Sequence, residues 1–211
     1  MTEVKGKISL RRIKMRGDFF IPEKFLGDDL LKRADNIFAH ASRIFESLPD
    51  PGILLSTQAE GKANVMNIGW GSLGFEWQTP IFIIYVRHCR FTHEILEKNP
   101  EFTICAPLDS TNPEIRKALA ICGSKSGRDV DKFQEAGLTR VDADLVKSPA
   151  IKEFPVTIEC KVVCKIEQPK SEIDPEFHKY YPPDVNIPTA PLTNSPHTIY
   201  WGKILKSYVI E

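Results

Sequence analysis

The sequence has no surplus of charge of either sign. Its 28 Lys and Arg balance 28 Asp and Glu, so 211 residues carry a formal net charge of zero at pH 7. A general nucleic-acid binder needs excess cations to displace phosphate counterions, and this composition argues against one. Long apolar runs are missing as well. The longest, Ile81 to Val86, is strand-sized and far short of the roughly 20 residues that span a bilayer. Met1 to Arg16 carry Lys and Arg with no continuous apolar run behind them, which is not the pattern of a secretory signal. Cysteine is sparse: Cys89, Cys105, Cys122, Cys160 and Cys164 leave one odd, and none forms a CxxC pair. Reduced thiols in a cytoplasmic protein are expected, not a disulfide framework.

Catalytic signatures are absent too. The string Cys122 to Phe133 has the Gly and Ser content of a phosphate cradle, but no GxxxxGK[ST] occurs, which disfavours a nucleotide hydrolase. There is no GxGxxG, HExxH or GxSxG, and His40, His88, His93, His178 and His197 are scattered. Adjacent His88 and Cys89 point apart on an extended segment, so they do not make a nucleophile pair. No metal site and no catalytic side chain are expected. An enzyme of this sequence would depend on a cofactor for its reaction.

What is present is an ordinary globular composition, 42% hydrophobic and 27% charged, at a length that favours one domain. Residues 1–50 read as a leading segment with helical periodicity over 28–33 and 37–45, closed by Pro49-Asp50-Pro51-Gly52. The remainder, 51–211, reads as the domain. Gly52–Gln58 and Ala63–Trp70 alternate like two strands around the turn Ala59–Lys62, a hairpin. Ile81–Val86 reads as a strand buried on both faces. Thr92–Asn99 reads as a helix capped by Thr92, and Glu101–Ala106 as another strand. Asn112–Ile121, with Pro113 at its first position, and Asp129–Ala136 read as further short helices. Thr157–Ile166 places Ile158, Cys160, Val162 and Cys164 on one face, with Glu159, Lys161 and Lys165 on the other. With no His at ligand spacing, Cys160 and Cys164 are expected to be core thiols. His197–Ile210 is a last strand, kinked near Gly202. Seven of the 16 prolines fall in 169–196, which makes that stretch a surface arm. Many short strands with few helices favour a small β-barrel over a parallel sheet.

Three segments carry chemistry. Asn67-Ile68-Gly69-Trp70-Gly71-Ser72 ends a strand in glycines that let a ligand approach the backbone, or is a turn beside a core Trp. Arg87-His88-Cys89-Arg90-Phe91-Thr92 places guanidinium groups at a helix start, a prepared anion site or a solvated loop. The third is the Gly/Ser string Cys122–Phe133, which contains Ser126, Gly127 and Lys132.

In order and spacing, Asn64–Trp70, Pro80–Thr92, Ser126–Phe133, Ile158–Cys160 and His197–Ile204 resemble the flavin reductase-like family, in particular its flavoredoxin branch. The resemblance runs from about Pro51 to Ile204. It implies a mainly β fold, a Greek-key FMN-binding split β-barrel with a few short peripheral helices, usually a homodimer with noncovalent FMN near the subunit interface. Carried over, Asn67, Ile68, Gly69, Trp70, Gly71 and Ser72 would border the isoalloxazine ring. Arg87, His88, Cys89, Arg90 and Thr92 would take the ribityl chain and phosphate. Ser126, Gly127 and Lys132 would close over the flavin. NADH or NADPH would be the reductant, and Arg87 or Lys132 would place positive charge beside the ring. A redox partner protein would fit an electron carrier of this kind. Relatives often have a Thr/Ser-rich string where this chain has Asn67–Trp70, so amides would replace hydroxyl contacts there. The alternative is a non-catalytic split-barrel interaction module, which would take up no flavin.

Overall fold

A computed structural model describes residues 40–181 and 197–211. Residues 40–47 are helical (α1), followed by β1 (Ile53–Ala59), β2 (Lys62–Ile68), β3 (Gly71–Glu76) and β4 (Thr79–Arg87). Then come α2 (Phe91–Lys98), β5 (Glu101–Ala106), α3 (Pro113–Ser124), α4 (Lys132–Glu135), β6 (Arg140–Val141) and β7 (Ala150–Ile151). The long strands β8 (Val156–Glu167) and β9 (His197–Val209) finish the chain.

Seven strands form one antiparallel sheet in the order β2-β1-β5-β8-β9-β4-β3. Its two end strands are consecutive in sequence, joined only by Gly69 and Trp70, so the sheet curls on itself. The inward face gathers Ile53, Leu55, Ile68, Phe82, Ile84, Phe102, Ile104, Ile158, Tyr200 and Ile204 into one buried cluster. This is the split barrel. Ile44 and Leu48 from α1 and its end join the same cluster, so the core reaches back ahead of Pro51. A second cluster lies outside the barrel, where Ala118, Leu119 and Cys122 of α3 and Phe133 of α4 cover Leu54, Val65 and Cys105.

The β1–β2 hairpin forms as expected, with Glu60 and Gly61 at φ 50° and 78°, the left-handed pair that a two-residue turn requires. Gly202 lets β9 cross the barrel centre: a Cβ there would lie 2.3 Å from the Phe102 ring. The expected kink appears as register shifts between β8 and β9 on either side of that point.

Several expectations change. β4 is not buried on both faces: Phe82, Ile84 and Val86 are fully buried, while Ile83 and Tyr85 are half-buried. The described residues do not cover its outer side. Thr92 does not cap α2; Arg90 stands at the cap with no side-chain bond, and Thr92 is buried with its hydroxyl turned inward. Helix α4 is shorter than the Asp129–Ala136 reading because Asp131 caps it, accepting from the amides of Phe133 (2.9 Å) and Gln134 (3.4 Å). Glu159, expected on the open face of β8, is fully buried. The loop before β7 lies over it, and the amides of Asp144 and Leu145 donate to its two oxygens at 2.8 and 2.6 Å. Cys160 is a core thiol, whereas Cys164 is only half-buried. Of the proline-rich arm, 169–181 forms two 3₁₀ turns (Lys170–Glu172 and Pro175–Tyr180), and 182–196 lie outside the described residues, as do 1–39.

Candidate functional site

The bend that joins the two ends of the sheet is built by small residues. Gly71 packs where a Cβ would stand 3.0 Å from the Phe82 ring, so β3 approaches β4 closely. The bend pushes Trp70 outward, 43% exposed. Its indole is held by His197 at 5.2 Å and by Tyr180 and Tyr181 at 6.0 and 6.2 Å between ring centroids. The Tyr181 hydroxyl donates to Gln168 Oε1 at 2.9 Å, which pins the base of the arm against this wall. Between the wall and the end of α1 lies a cleft of about 410 Å³, lined by Gly69, Trp70, Gly71, Ser72, Tyr85 and Tyr181 among others. An aromatic cleft of that size suits a planar ligand.

Beside it is a cationic corner. Antiparallel register places Arg87 of β4 opposite His197 of β9. Burial, then the charges of Arg87, Arg90 and His88, push the His197 imidazole down to about 4. At pH 7 it is neutral, and its buried Nδ1 has no hydrogen-bond partner among the described residues. His88 and His93 direct their Nε2 atoms at one hydroxyl, Thr198 Oγ1, each at 3.0 Å. His88 also lies 3.5 Å from Glu167. Burial and the neighbouring His88 charge hold His93 below the ordinary imidazole range. Cys89 is half-buried in the same loop.

The third segment closes the corner. Lys132 is buried, and its Nζ donates to the Cys122 carbonyl at 2.8 Å. Burial, with Arg90 adding to it, lowers this ammonium to about 8. Asn64 of β2 donates from Nδ2 to Thr92 Oγ1 at 2.8 Å, while its buried Oδ1 has no partner among the described residues. Gly127 seats directly on that amide, since a Cβ would come within 2.0 Å of Asn64 Oδ1. Ser126 is half-buried and its Oγ accepts from the Arg128 amide at 3.2 Å.

The structure therefore brings together Gly69, Trp70, Gly71 and Ser72 on the cleft, and Arg87, Arg90, Thr92, Gly127 and Lys132 around the corner, with His197 joining the two. Two predicted residues turn away. Ile68 points into the barrel core, and Asn67 donates to the Pro51 carbonyl at 3.1 Å beneath Gly52, leaving only their backbone toward the bend. Asn64, Tyr181 and His197 are site residues that sequence reasoning missed. An amide at an inward strand position and a histidine opposite an arginine were the available signals. Among the described residues no cluster of His, Cys, Asp and Glu could hold a metal ion. No helix among them is long and apolar enough to cross a membrane.

The orphaned His197 nitrogen, the Trp70 cleft and the surrounding cations fit an anionic, partly aromatic group, and flavin mononucleotide meets that description. A split barrel with a bend cleft and a cationic corner at the start of α2 is the class of protein these features define. The chain belongs to the flavin reductase-like family: the flavin reductase like domain matches residues 45–211. Among solved structures it is similar to the flavoredoxin of Desulfovibrio vulgaris (Miyazaki F), 25% identical with a TM-score of 0.56, covering 76% of this chain and 70% of that one. It is equally similar to the flavoredoxin of Methanosarcina acetivorans, 25% identical with a TM-score of 0.57, covering 76% and 69%. An uncharacterized protein of Archaeoglobus fulgidus is 30% identical over 106 residues, half of this chain and 57% of that protein. The chain thus spans little more than half the length of that relative.

Proposed function

We propose that this protein binds FMN noncovalently and acts as an NAD(P)H-linked flavin reductase or a flavoredoxin-type electron carrier. The observation that carries the reading is the corner where Arg87, Arg90 and His88 surround a neutral His197 beside the Trp70 cleft, with Lys132 facing Arg90. Arg87 and Arg90 would neutralise the phosphate. Thr92, positioned by Asn64, would offer its hydroxyl at the helix start. Lys132, lowered to about 8 in the free protein, would be held fully charged by the anion, and Trp70, Ser72 and Tyr181 would hold the ring and keep water from it. When bound, the flavin supplies the hydride and electron transfer that no side chain here offers.

A homodimer is part of the proposal, supported by the outward face of three strands. Ile83 lies opposite Trp201, and Tyr85 opposite Ile199. Cys164 and Ile166 of β8 extend those two rows. Ile166 is 55% exposed, and with Ile83, Trp201, Tyr85 and Ile199 it makes an apolar surface of the kind that self-association covers.

The test is a visible spectrum of the purified protein, before and after FMN addition and anaerobic NADH or NADPH. The expected result is uptake of yellow flavin in one equivalent per chain, followed by bleaching with one of the reductants. A colourless protein indifferent to FMN refutes the proposal. Oxidation of NAD(P)H that scales with free flavin identifies the reductase, and slow oxidation with retained flavin identifies the carrier.

A further inference from the structure

Helix α2 and strand β9 meet through side chains in matched register. His93 and Glu97 are four apart on α2, a spacing of about 6 Å along one helix face. Thr198 and Tyr200 are two apart on β9, about 6.7 Å along one strand face. The two spacings nearly coincide, and each helix residue meets a strand partner. His93 Nε2 lies 3.0 Å from Thr198 Oγ1, and the Tyr200 hydroxyl donates to Glu97 Oε1 at 3.0 Å. Lys165 of β8 pairs with the same Glu97. Thr198 and Tyr200 are 3% and 1% exposed, so the seam is internal.

Thr198 has a second partner. His88, in the loop between β4 and α2, sets its own Nε2 3.0 Å from the same hydroxyl, and the two imidazole centroids are 4.8 Å apart. His88 Nε2 also lies 3.5 Å from Glu167 of β8. A threonine hydroxyl has one proton and two lone pairs, so it serves two ring nitrogens at once, accepting from both or accepting from one and donating to the other. Between His88 and His93 run Cys89, Arg90, Phe91 and Thr92. One buried hydroxyl therefore grips both ends of the turn that carries Arg90 and the start of α2, whose cap residue makes no side-chain bond.

We infer that Thr198 is a positioning residue for phosphate recognition. Its hydroxyl is engaged in the seam, and it does not line the Trp70 cleft. It fixes where Arg90, Thr92 and the first amides of α2 stand relative to Arg87, and so governs how the corner holds a phosphate without altering the seat of the ring. The inference rests on the flavin reading above. Thr198→Val keeps the shape of the side chain and strands two imidazole nitrogens, which turn to other partners and take the arginine turn with them.

The experiment titrates flavin-free protein with FMN and with riboflavin, which differ only in the phosphate, following flavin fluorescence. It compares the unaltered chain with Thr198→Val and Thr198→Ser. The Val variant is expected to lose about tenfold or more in FMN affinity while riboflavin affinity changes by less than about twofold. The Ser variant restores the hydroxyl and is expected to bind FMN within about threefold of the unaltered protein. Equal losses for the two flavins, unchanged FMN affinity in the Val variant, or a Ser variant no better than Val overturns the inference. Should the Val variant not fold, the unaltered protein decides. Its His88 and His93 ring ¹⁵N resonances are expected to shift on binding FMN and to stay in place with riboflavin, and the same response to both flavins overturns the assignment. Failure of the flavin reading is distinct: neither flavin then binds the unaltered protein, and the role of Thr198 falls with it.

Discussion

His197 offers the sharpest test of the site's electrostatics. It is only 6% exposed, and burial with three neighbouring cationic groups takes its imidazole from 6.5 to about 4. In the unfolded chain the ring protonates as pH falls through 6.5, whereas in the folded protein it stays neutral until about 4. The unfolded state therefore binds more protons throughout that window, and the stabilisation present above pH 6.5 is lost progressively toward pH 4. Each unit of displacement is worth about 1.4 kcal/mol, so the full effect is about 3 kcal/mol, of which about 2 kcal/mol falls between pH 7 and 5. His197→Gln keeps a polar side chain of similar size and removes the titration. Urea unfolding of flavin-free protein at pH 7, 6 and 5 is expected to show a pH dependence shallower by that amount in the variant. The comparison cancels other groups, including His93, which shifts in the same direction. Equal slopes in the two proteins, or a resonance of His197 titrating near 6.5, would refute the picture of a neutral imidazole amid cations.

Packing and polar satisfaction give further tests. Gly127→Ala drives a methyl against Asn64 Oδ1, and overpacking of this kind destabilises by about 1–3 kcal/mol. In an Asn64→Ala background the nearest remaining contact is Phe91 at 3.1 Å, so denaturant titration should find most of that loss gone; equal losses in both backgrounds would disprove the clash. Glu159→Gln sets an amide NH₂ against one of two backbone donors, Asp144 or Leu145. It is expected to lower stability by about 1–3 kcal/mol and to speed hydrogen exchange at those two amides; unchanged exchange there would show that the carboxylate does not anchor the loop.

The parts of the fold that were legible in the sequence are those decided locally. Turn residues Glu60 and Gly61 sit where strand alternation changes direction, and Asn112 with Pro113 starts α3 as its chemistry dictates, the Asn112 side chain accepting from the Glu114 amide. β3 was illegible because it owes its form to pairing with β4. Its glycines 71 and 74 weaken any strand signal, and its hairpin turn uses Trp77 and Gln78 at φ 51° and 55° where glycine or asparagine is the usual signal. Glu159 was misread because alternation says which face a residue is on and not what later covers that face. The site divides in the same way. The arginine loop and the glycine bend are contiguous strings and could be read directly. Asn64, 28 residues from the Thr92 it positions, and His197, more than a hundred from Arg87, enter only through sheet closure.

Taken singly, the features of the corner oppose folding. A buried Lys132 held at about 8 with one carbonyl as partner, a buried imidazole that cannot protonate, and an amide oxygen with no partner each carry a desolvation cost that is not fully offset. A phosphate-bearing ligand reverses the sign of the first two, since its charge favours the ammonium and the imidazolium that burial now disfavours. Binding should then raise the titration points of both groups and take up protons. Between pH 7 and 8 the uptake comes from Lys132, which is partly neutral there in the free protein and charged in the complex. Calorimetric titration with FMN at pH 7.5 in buffers of different ionisation enthalpy measures this directly: the apparent enthalpy is expected to vary with the buffer in the sense of proton uptake. Lys132→Met should remove that dependence along with part of the affinity. If binding proceeds with no proton uptake in the unaltered protein, Lys132 does not face the anion, and the corner is held together for a reason other than the ligand.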